Sequence, residues 1–211
     1  MTPKVTISLP CYGRPLRTKR SIENILSQDL QGWEALIAGD HCPEFQKLID
    51  SGWLEEKKLQ AQSQGNNLEY QQWKVRESGC GFAITNWNIQ HAKGKYLVFF
   101  ANDDVILPTH LSHYYNYIEE SGMDYMFFNS WLDPLGYIRD TRMAPSQIGH
   151  SEIIVKTELA QKAPPHSPAY GHDWDFIRFI MENGKGKKAD SPHTTYHVMH
   201  IPNFGTKDLI D

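Results

Sequence analysis

An α/β fold, with a mostly parallel sheet held between helices, is predicted by three observations. Short apolar or β-branched runs alternate with segments of helical period through the first 120 residues. Those runs are apolar almost throughout, as strands covered on both faces must be. Polar and acidic residues gather where the runs stop, and in open α/β sheets the carboxyl ends of the strands are where ligands bind.

Lys4–Pro10 is a β-branched run stopped by proline and is predicted as the first strand, followed by a Cys11–Pro15 loop. Leu16, Ile22, Ile25 and Leu26 fall at helical spacing up to Gln28, with Gly32 beyond the end. Trp33–Gly39 is a second buried strand, and the chain must turn at Asp40, His41 and Cys42. Residues 43–76 are less regular. Phe82 to Ala92 is predicted as a helix closed by Gly94, and Lys95–Ala101 is the clearest strand in the chain, running straight into Asn102, Asp103 and Asp104. Leu107, Leu111, Tyr114, Tyr115 and Ile118 mark a helix begun near Pro108, and Met123–Trp131 is another strand. Residues 132–170 mix short strands and loops. Trp174, Ile177, Ile180 and Met181 give a late helix, and Thr194–Ile201 a last strand.

The 211 residues show no linker-like stretch, so one domain, 1–211, is expected, and the abrupt end at Asp211 allows it to be a piece of a longer chain. A net charge of −4 disfavours a nucleic-acid partner. The longest apolar run, Tyr96–Ala101, is far short of a membrane span, so no membrane insertion is expected. Three cysteines, Cys11, Cys42 and Cys80, contain no CxxC pair; this argues against a disulfide frame or structural zinc and makes a cytoplasmic location the expectation.

Three strand ends could face one cleft: Pro10 to Arg14, Asp40 with His41, and Asn102 to Asp104. Adjacent carboxylates after a buried strand place hard oxygen ligands where Mg²⁺ or Mn²⁺ can bridge phosphate oxygens; the competing reading is a solvated acidic turn that caps the next helix. Asp40 could bind a nucleobase or ribose, or simply form the turn. Arg14 could pair with phosphate or be solvated. His193, His197 and His200 could supply one metal ligand, but period-two alternation puts His200 opposite the other two, so a zinc triad is not expected. Asp173 and Asp175 stand in the first turn of a helix, where a carboxylate serves as general base or as cap.

In this order the motifs resemble the nucleotide-sugar-dependent glycosyltransferases of GT-A fold, particularly the family 2 type, over residues 4–120 and 170–204. Val5 to Arg14 is similar to the family's opening strand and P-x-Y-x-R loop, which implies that Pro10, Tyr12 and Arg14 lie against the nucleotide. Asp40 matches the second aspartate of a pair that contacts uracil, with Gly39 in place of the first. Ala92 to Tyr96 and then Leu97 to Asp104 resemble the A-x-G-x-Y strand leading to D-x-D-D. Ala101 replaces its first carboxylate, which leaves Asn102, Asp103 and Asp104 for ribose and metal. Asn86 keeps the asparagine of the A-R-N element while Thr85 replaces its arginine, so pyrophosphate contacts must come from elsewhere. Gly171 to Asp175 is similar to the G-E-D-x-D helix start, with Asp173 on the catalytic-base position, Asp175 as second candidate and His172 for glutamate. His200 to Asn203 resembles the late H-x-x-N element, making His200 the preferred histidine ligand.

The resemblance implies a Rossmann-like nucleotide-sugar-binding half, 1–120, and an acceptor-binding half, 121–211, in which Trp131, Tyr137 and Tyr170 offer stacking surfaces or core. It implies Mn²⁺ or Mg²⁺ as cofactor, a UDP-sugar as donor and a glycan or glycoprotein hydroxyl as acceptor. Length and N-terminus also resemble a virus-encoded domain of the chlorovirus type acting on capsid glycans, which would place it in the host cytoplasm. A metal-dependent phosphoester hydrolase and a non-catalytic nucleotide- or glycan-binding module are the competing classes.

Overall fold

The computed structural model describes residues 2–76, 81–167, 171–191 and 193–199. In chain order the elements are β1 (Val5–Cys11), α1 (Pro15–Leu26), β2 (Trp33–Gly39), α2 (Pro43–Asp50), α3 (Trp53–Ser63), β3 (Asn67–Gln72), α4 (Phe82–His91), β4 (Tyr96–Phe99), β5 (Val105–Ile106), α5 (His110–Ser121), β6 (Tyr125–Phe127), β7 (Ser130–Leu132), β8 (Tyr137–Arg139), β9 (Ile153–Lys156), α6 (Thr157–Ala160), α7 (His172–Asn183), β10 (Gly186–Lys188) and β11 (Tyr196–Val198).

Seven strands form one sheet in the order β10-β6-β9-β4-β1-β2-β3, parallel except for β9, which runs antiparallel to β4 and β6. The sheet thus draws strands from both parts of the sequence. A second sheet, β5-β11-β7-β8, stands beside the carboxyl end of β4. The predicted α/β class and mostly parallel sheet are found.

The apolar strands are explained by cores on both faces. Along β4, Tyr96 and Val98 enter one core with Ile7 and Leu9 of β1, Ile22 and Ile25 of α1 and Leu111 and Ile118 of α5. Leu97 and Phe99 turn to the other core, made with Val155 of β9 and Phe176, Ile177 and Ile180 of α7. Alternation on a pleated strand thereby serves two cores at once.

Two close approaches fix the middle of the sheet. A Cβ on Gly94 would stand 2.4 Å from the Thr6 backbone nitrogen, so only glycine lets the turn into β4 lie against β1. The buried Glu34 carboxylate seals that turn, accepting from Thr6 Oγ1 at 2.6 Å, Lys93 N at 2.5 Å and Gly94 N at 3.2 Å.

The irregular stretch 43–76 contains α2, α3 and β3, a polar edge strand whose Leu68 is buried. The predicted strand Met123–Trp131 is divided: β6 belongs to the large sheet and β7, after the turn at Phe128 and Asn129, to the small one. Of the predicted strand Thr194–Ile201, Tyr196–Val198 is β11, paired with β5 and β7.

Candidate active site

The carboxyl ends of β1, β2 and β4 meet at one cleft of about 590 Å³, lined by Pro10, Tyr12, Arg14, Asp40, Asn102 and Asp103 together with Arg76 and Gly81. Six of the residues expected at the nucleotide are therefore in one place. The turns that bring them there are strained: Arg14 has φ 51° and His41 φ 47°, left-handed values that cost an ordinary residue of the order of 1–3 kcal/mol and concentrate at functional sites. Gly39, where the family has aspartate, has no room for a side chain. A Cβ there would meet Gln72 Oε1 at 2.2 Å and the Phe45 ring at 2.5 Å.

The acidic segment after β4 is held by α1. Arg20 Nη2 donates to the carbonyls of Asp103 (2.9 Å) and Asp104 (3.3 Å), Ser21 Oγ donates to the Asn102 carbonyl at 3.2 Å, and Asn102 Nδ2 reaches Thr18 Oγ1 at 3.1 Å. The two carboxylates part company. Asp103 faces the cleft, ion-paired with Arg14. Asp104 is buried, with one oxygen accepting from Tyr196 OH and the other from Met199 N at 2.8 Å. Burial, reinforced by the neighbouring Asp103 charge, pushes the Asp104 carboxyl up to about 7, against the pull of these two donors.

Sequence reasoning had grouped Asp103, Asp104 and His200 around a metal. Both oxygens of Asp104 accept a hydrogen bond from the protein, which joins the acidic turn to β11. His200 lies outside the described residues. Among the described residues no group of three His, Cys, Asp or Glu side chains could hold a metal. The fit to Mg²⁺ or Mn²⁺ therefore rests on Asp103, partly exposed at the cleft; such ions often bind through one or two carboxylates, completed by substrate phosphates and water.

Asn86, expected at the nucleotide, is occupied elsewhere. Its Oδ1 accepts from His166 N at 2.7 Å and lies 2.7 Å from His166 Nδ1, while its Nδ2 donates to the His166 carbonyl at 3.0 Å. His166 Nε2 lies 2.7 Å from His150 Nε2, and His150 Nδ1 lies 3.4 Å from Asp173 Oδ1. The His150 ring rests against Phe99 at the end of β4, 4.7 Å between centroids, which puts Asp173 on the β4 side of α7. Asp175 is two-thirds exposed and paired with Arg178 at 3.3 Å. Of the aromatic residues considered for the acceptor, Tyr137 is exposed and Trp131 donates to Asp133 at 2.7 Å; Tyr170 lies outside the described residues.

Sequence reasoning missed Arg76, whose guanidinium stacks 4.1 Å from the Tyr12 ring and supplies the cleft with a second cation. It also missed His150 and His166, which reach Asp173 only through folding. No local pattern marks any of the three.

The sequence profile of Glycosyl transferase family 2 matches residues 6–178, most of the chain. The chain belongs to that family. An uncharacterized glycosyltransferase of Rickettsia bellii is 28% identical over 118 residues, covering 56% of this chain and 15% of that protein. A putative colanic acid biosynthesis glycosyl transferase, WcaA of Escherichia coli, is 24% identical over 110 residues, 52% of this chain and 36% of its own. The family 2 chain thus spans about a third or less of these two relatives. Among solved structures, S. aureus TarS 1–349 superposes with a TM-score of 0.72 at 15% identity over 92% of this chain and 60% of that one, and it has also been crystallised with UDP, at a TM-score of 0.71. The mannosyltransferase PcManGT from Pyrobaculum calidifontis, in complex with GDP-Man and Mn²⁺, gives 0.68 at 16% identity over 97% of this chain and 59% of its own. At these identities the superpositions establish the fold. Among the described residues, no helix is long and apolar enough to cross a membrane.

Proposed function

We propose that this family 2 chain transfers a sugar from a nucleoside diphosphate sugar, with UDP as the nucleotide, to a hydroxyl of a glycan or glycoprotein. The observation that carries the reading is the convergence of Asp40, Arg14, Arg76 and Asp103 from three parallel strand ends and the segment after β3 in one cleft. Asp40 sits where it can accept from a nucleobase N–H. Tyr12, backed by Arg76, offers a ring face to the base or ribose. Arg14 and Arg76 offer cations to the diphosphate. The free Cys11 and Cys42, both buried, suit the cytoplasm as the working compartment.

Asp103 would hold Mn²⁺ or Mg²⁺, which when bound supplies positive charge to the leaving diphosphate. Asp103 is paired with Arg14 across the cleft, so a metal held on Asp103 would leave the Arg14 guanidinium available to phosphate oxygens. Asp173 is the base: the acceptor oxygen bonds to the anomeric carbon, the bond from that carbon to the diphosphate breaks with its electron pair, and the hydroxyl proton passes to Asp173. Asp175, turned to Arg178 and solvent, is the lesser candidate. Exposed Tyr137 is offered as an acceptor contact.

The test is UDP release from UDP-GlcNAc, UDP-glucose and UDP-galactose with Mn²⁺, together with UDP binding by calorimetry. Asp103→Ala should weaken metal-dependent UDP binding more than tenfold. Asp173→Asn should leave UDP binding within about twofold and lower turnover by roughly 10²–10⁴, the usual share of a general base. Full activity in Asp103→Ala would refute the assignment. Metal-dependent phosphoester hydrolysis without a sugar donor would replace it with the hydrolase reading.

A further inference from the structure

One row of side chains crosses the small sheet from the acidic turn to the sheet's outer edge. The strand registers pair Val105 of β5 with His197 of β11, His197 with Trp131 of β7, and Trp131 with Ile138 of β8. Partners in register share a face of a sheet, so these four side chains stand side by side. Their neighbours along the strands, Ile106, Tyr196 and Leu132, turn the other way and are buried, which puts the row on the outward face. Neighbouring strands lie about 4.8 Å apart, so the row is about 14 Å long. It begins two residues after Asp103, which lines the donor cleft, and ends at Ile138, 46% exposed on the edge strand.

The middle of the row is rigidly placed. Trp131 Nε1 donates to Asp133 Oδ1 at 2.7 Å, which fixes the indole by its edge. The His197 ring lies beside the indole, 6.3 Å between centroids, with Nδ1 3.9 Å from the same carboxylate oxygen. Asp133 is itself held by the ladder, its N–H donating to the Val198 carbonyl at 3.1 Å. An aromatic face is thereby rimmed by a partly exposed carboxylate and imidazole. A pyranose presents the complementary surface: a face of C–H groups, and a perimeter of hydroxyls that donate to a carboxylate and exchange hydrogen bonds with an imidazole.

We propose that the row Val105–His197–Trp131–Ile138 is the subsite for the sugar chain of the acceptor, with Trp131 as its stacking platform and Asp133 and His197 holding the hydroxyls of the ring above it. The proposal rests on the transferase reading and locates the acceptor within it: a chain lying along the row has one end beside Asp103 and the donor. Shape and charge set the class of occupant. A stable protein interface engages about 20–30 residues a side, whereas a row one side chain wide suits a linear chain. The Asp133 carboxylate opposes a polyanion, so the occupant is a neutral oligosaccharide of more than one ring.

The test uses the full chain labelled with 5-fluorotryptophan and read by ¹⁹F NMR, with Trp131→Tyr assigning the Trp131 signal. Cello-, malto-, chito- and mannopentaose are added without donor, each beside its disaccharide, and affinities are measured by calorimetry. At least one pentaose should move the Trp131 signal and bind at least about tenfold more tightly than its disaccharide. Trp131→Ala should weaken that binding at least about tenfold, Trp131→Tyr should keep it within about threefold, and Asp133→Ala should weaken it at least about threefold, with thermal midpoints close to that of the native chain. A Trp131 signal that no pentaose moves, or binding undiminished in Trp131→Ala, overturns the proposal. A dimer in light scattering that Trp131→Ala dissociates also overturns it, since a second copy then occupies the row. If UDP binds with Mn²⁺ while no pentaose moves the signal, the subsite fails and the transferase reading stands. If a pentaose binds at Trp131 but UDP-GlcNAc, UDP-glucose and UDP-galactose release no UDP in its presence with Mn²⁺, the transferase reading fails and the sugar site stands.

Discussion

Tyr196→Phe removes a single oxygen from the buried link between the acidic turn and β11, and the consequence depends on pH. The Tyr196 hydroxyl donates to Asp104 Oδ2, and the tyrosine is 1% exposed, so water cannot take its place without opening the core. A hydrogen bond to a charged acceptor contributes about 1.5–3 kcal/mol, whereas a neutral pair contributes about 0.5–1.5 kcal/mol. Burial raises the Asp104 carboxyl to about 7. Its protonation therefore adds stability that is fully present below the ordinary carboxylate pKa of 3.8 and lost as pH rises through 7, where the Tyr196 bond offsets part of the cost of the buried charge. At pH 8 the variant should lose about 1.5–3 kcal/mol, roughly 3–12 °C in Tm for a domain of this size. At pH 5, with Asp104 protonated, the loss should fall to about half that or less. Thermal and denaturant unfolding in EDTA at both pH values measure it. An equal loss at the two values would show that Asp104 does not change charge between them, and no loss at either would show that the hydroxyl does not stabilise this carboxylate.

Two further outcomes follow from packing and burial. Gly39→Asp, which restores the family's missing carboxylate, should destabilise the chain by about 1–3 kcal/mol or more through overpacking against Gln72 and Phe45, read as a lower midpoint in denaturant; unchanged stability would show that the cleft has room for the family's pair. His110 is buried against Tyr114 and Tyr196 with Nδ1 on Thr195 Oγ1 at 3.0 Å, and burial pushes it down to about 3. Its stabilising contribution is whole above the ordinary value of 6.5 and is lost as pH falls toward 3, at about 1.4 kcal/mol per pH unit. Between pH 6 and 4 the stability of the native chain should fall relative to that of His110→Asn with this slope, and parallel curves would contradict it.

What the sequence makes legible is what one periodicity can carry. Val5–Cys11, Trp33–Gly39 and Tyr96–Phe99 are covered on both faces and therefore apolar throughout, and α1, α5 and α7 each turn one apolar stripe to a core. Residues 43–76 hide two helices and a strand because α3 buries only Leu54 and Ala61, and β3 at the sheet edge keeps polar side chains. β6 and β7 read as one strand because the apolar run continues through Phe128 while the backbone changes sheets. At the site, residues that close a strand, such as Asp40 and Asp103, announce themselves by position. The separation of Asp103 from Asp104 does not, since it depends on Tyr196, more than ninety residues on in sequence. Asn86 is a similar case: its motif is local, but its partners, His166 and through it His150, come from remote segments that share no spacing.

The central claim is that the cleft at the ends of β1, β2 and β4 binds a nucleoside diphosphate, with Asp103 carrying the metal. It is tested most directly by thermal unfolding of the chain with UDP, GDP, CDP and ADP, each with and without Mn²⁺. A ligand at about 100 times its Kd stabilises by about 2.7 kcal/mol, or roughly 5–11 °C here. A Mn²⁺-dependent rise with UDP, abolished by Asp103→Ala, is the result predicted; no rise with any of the four nucleotides would contradict the claim.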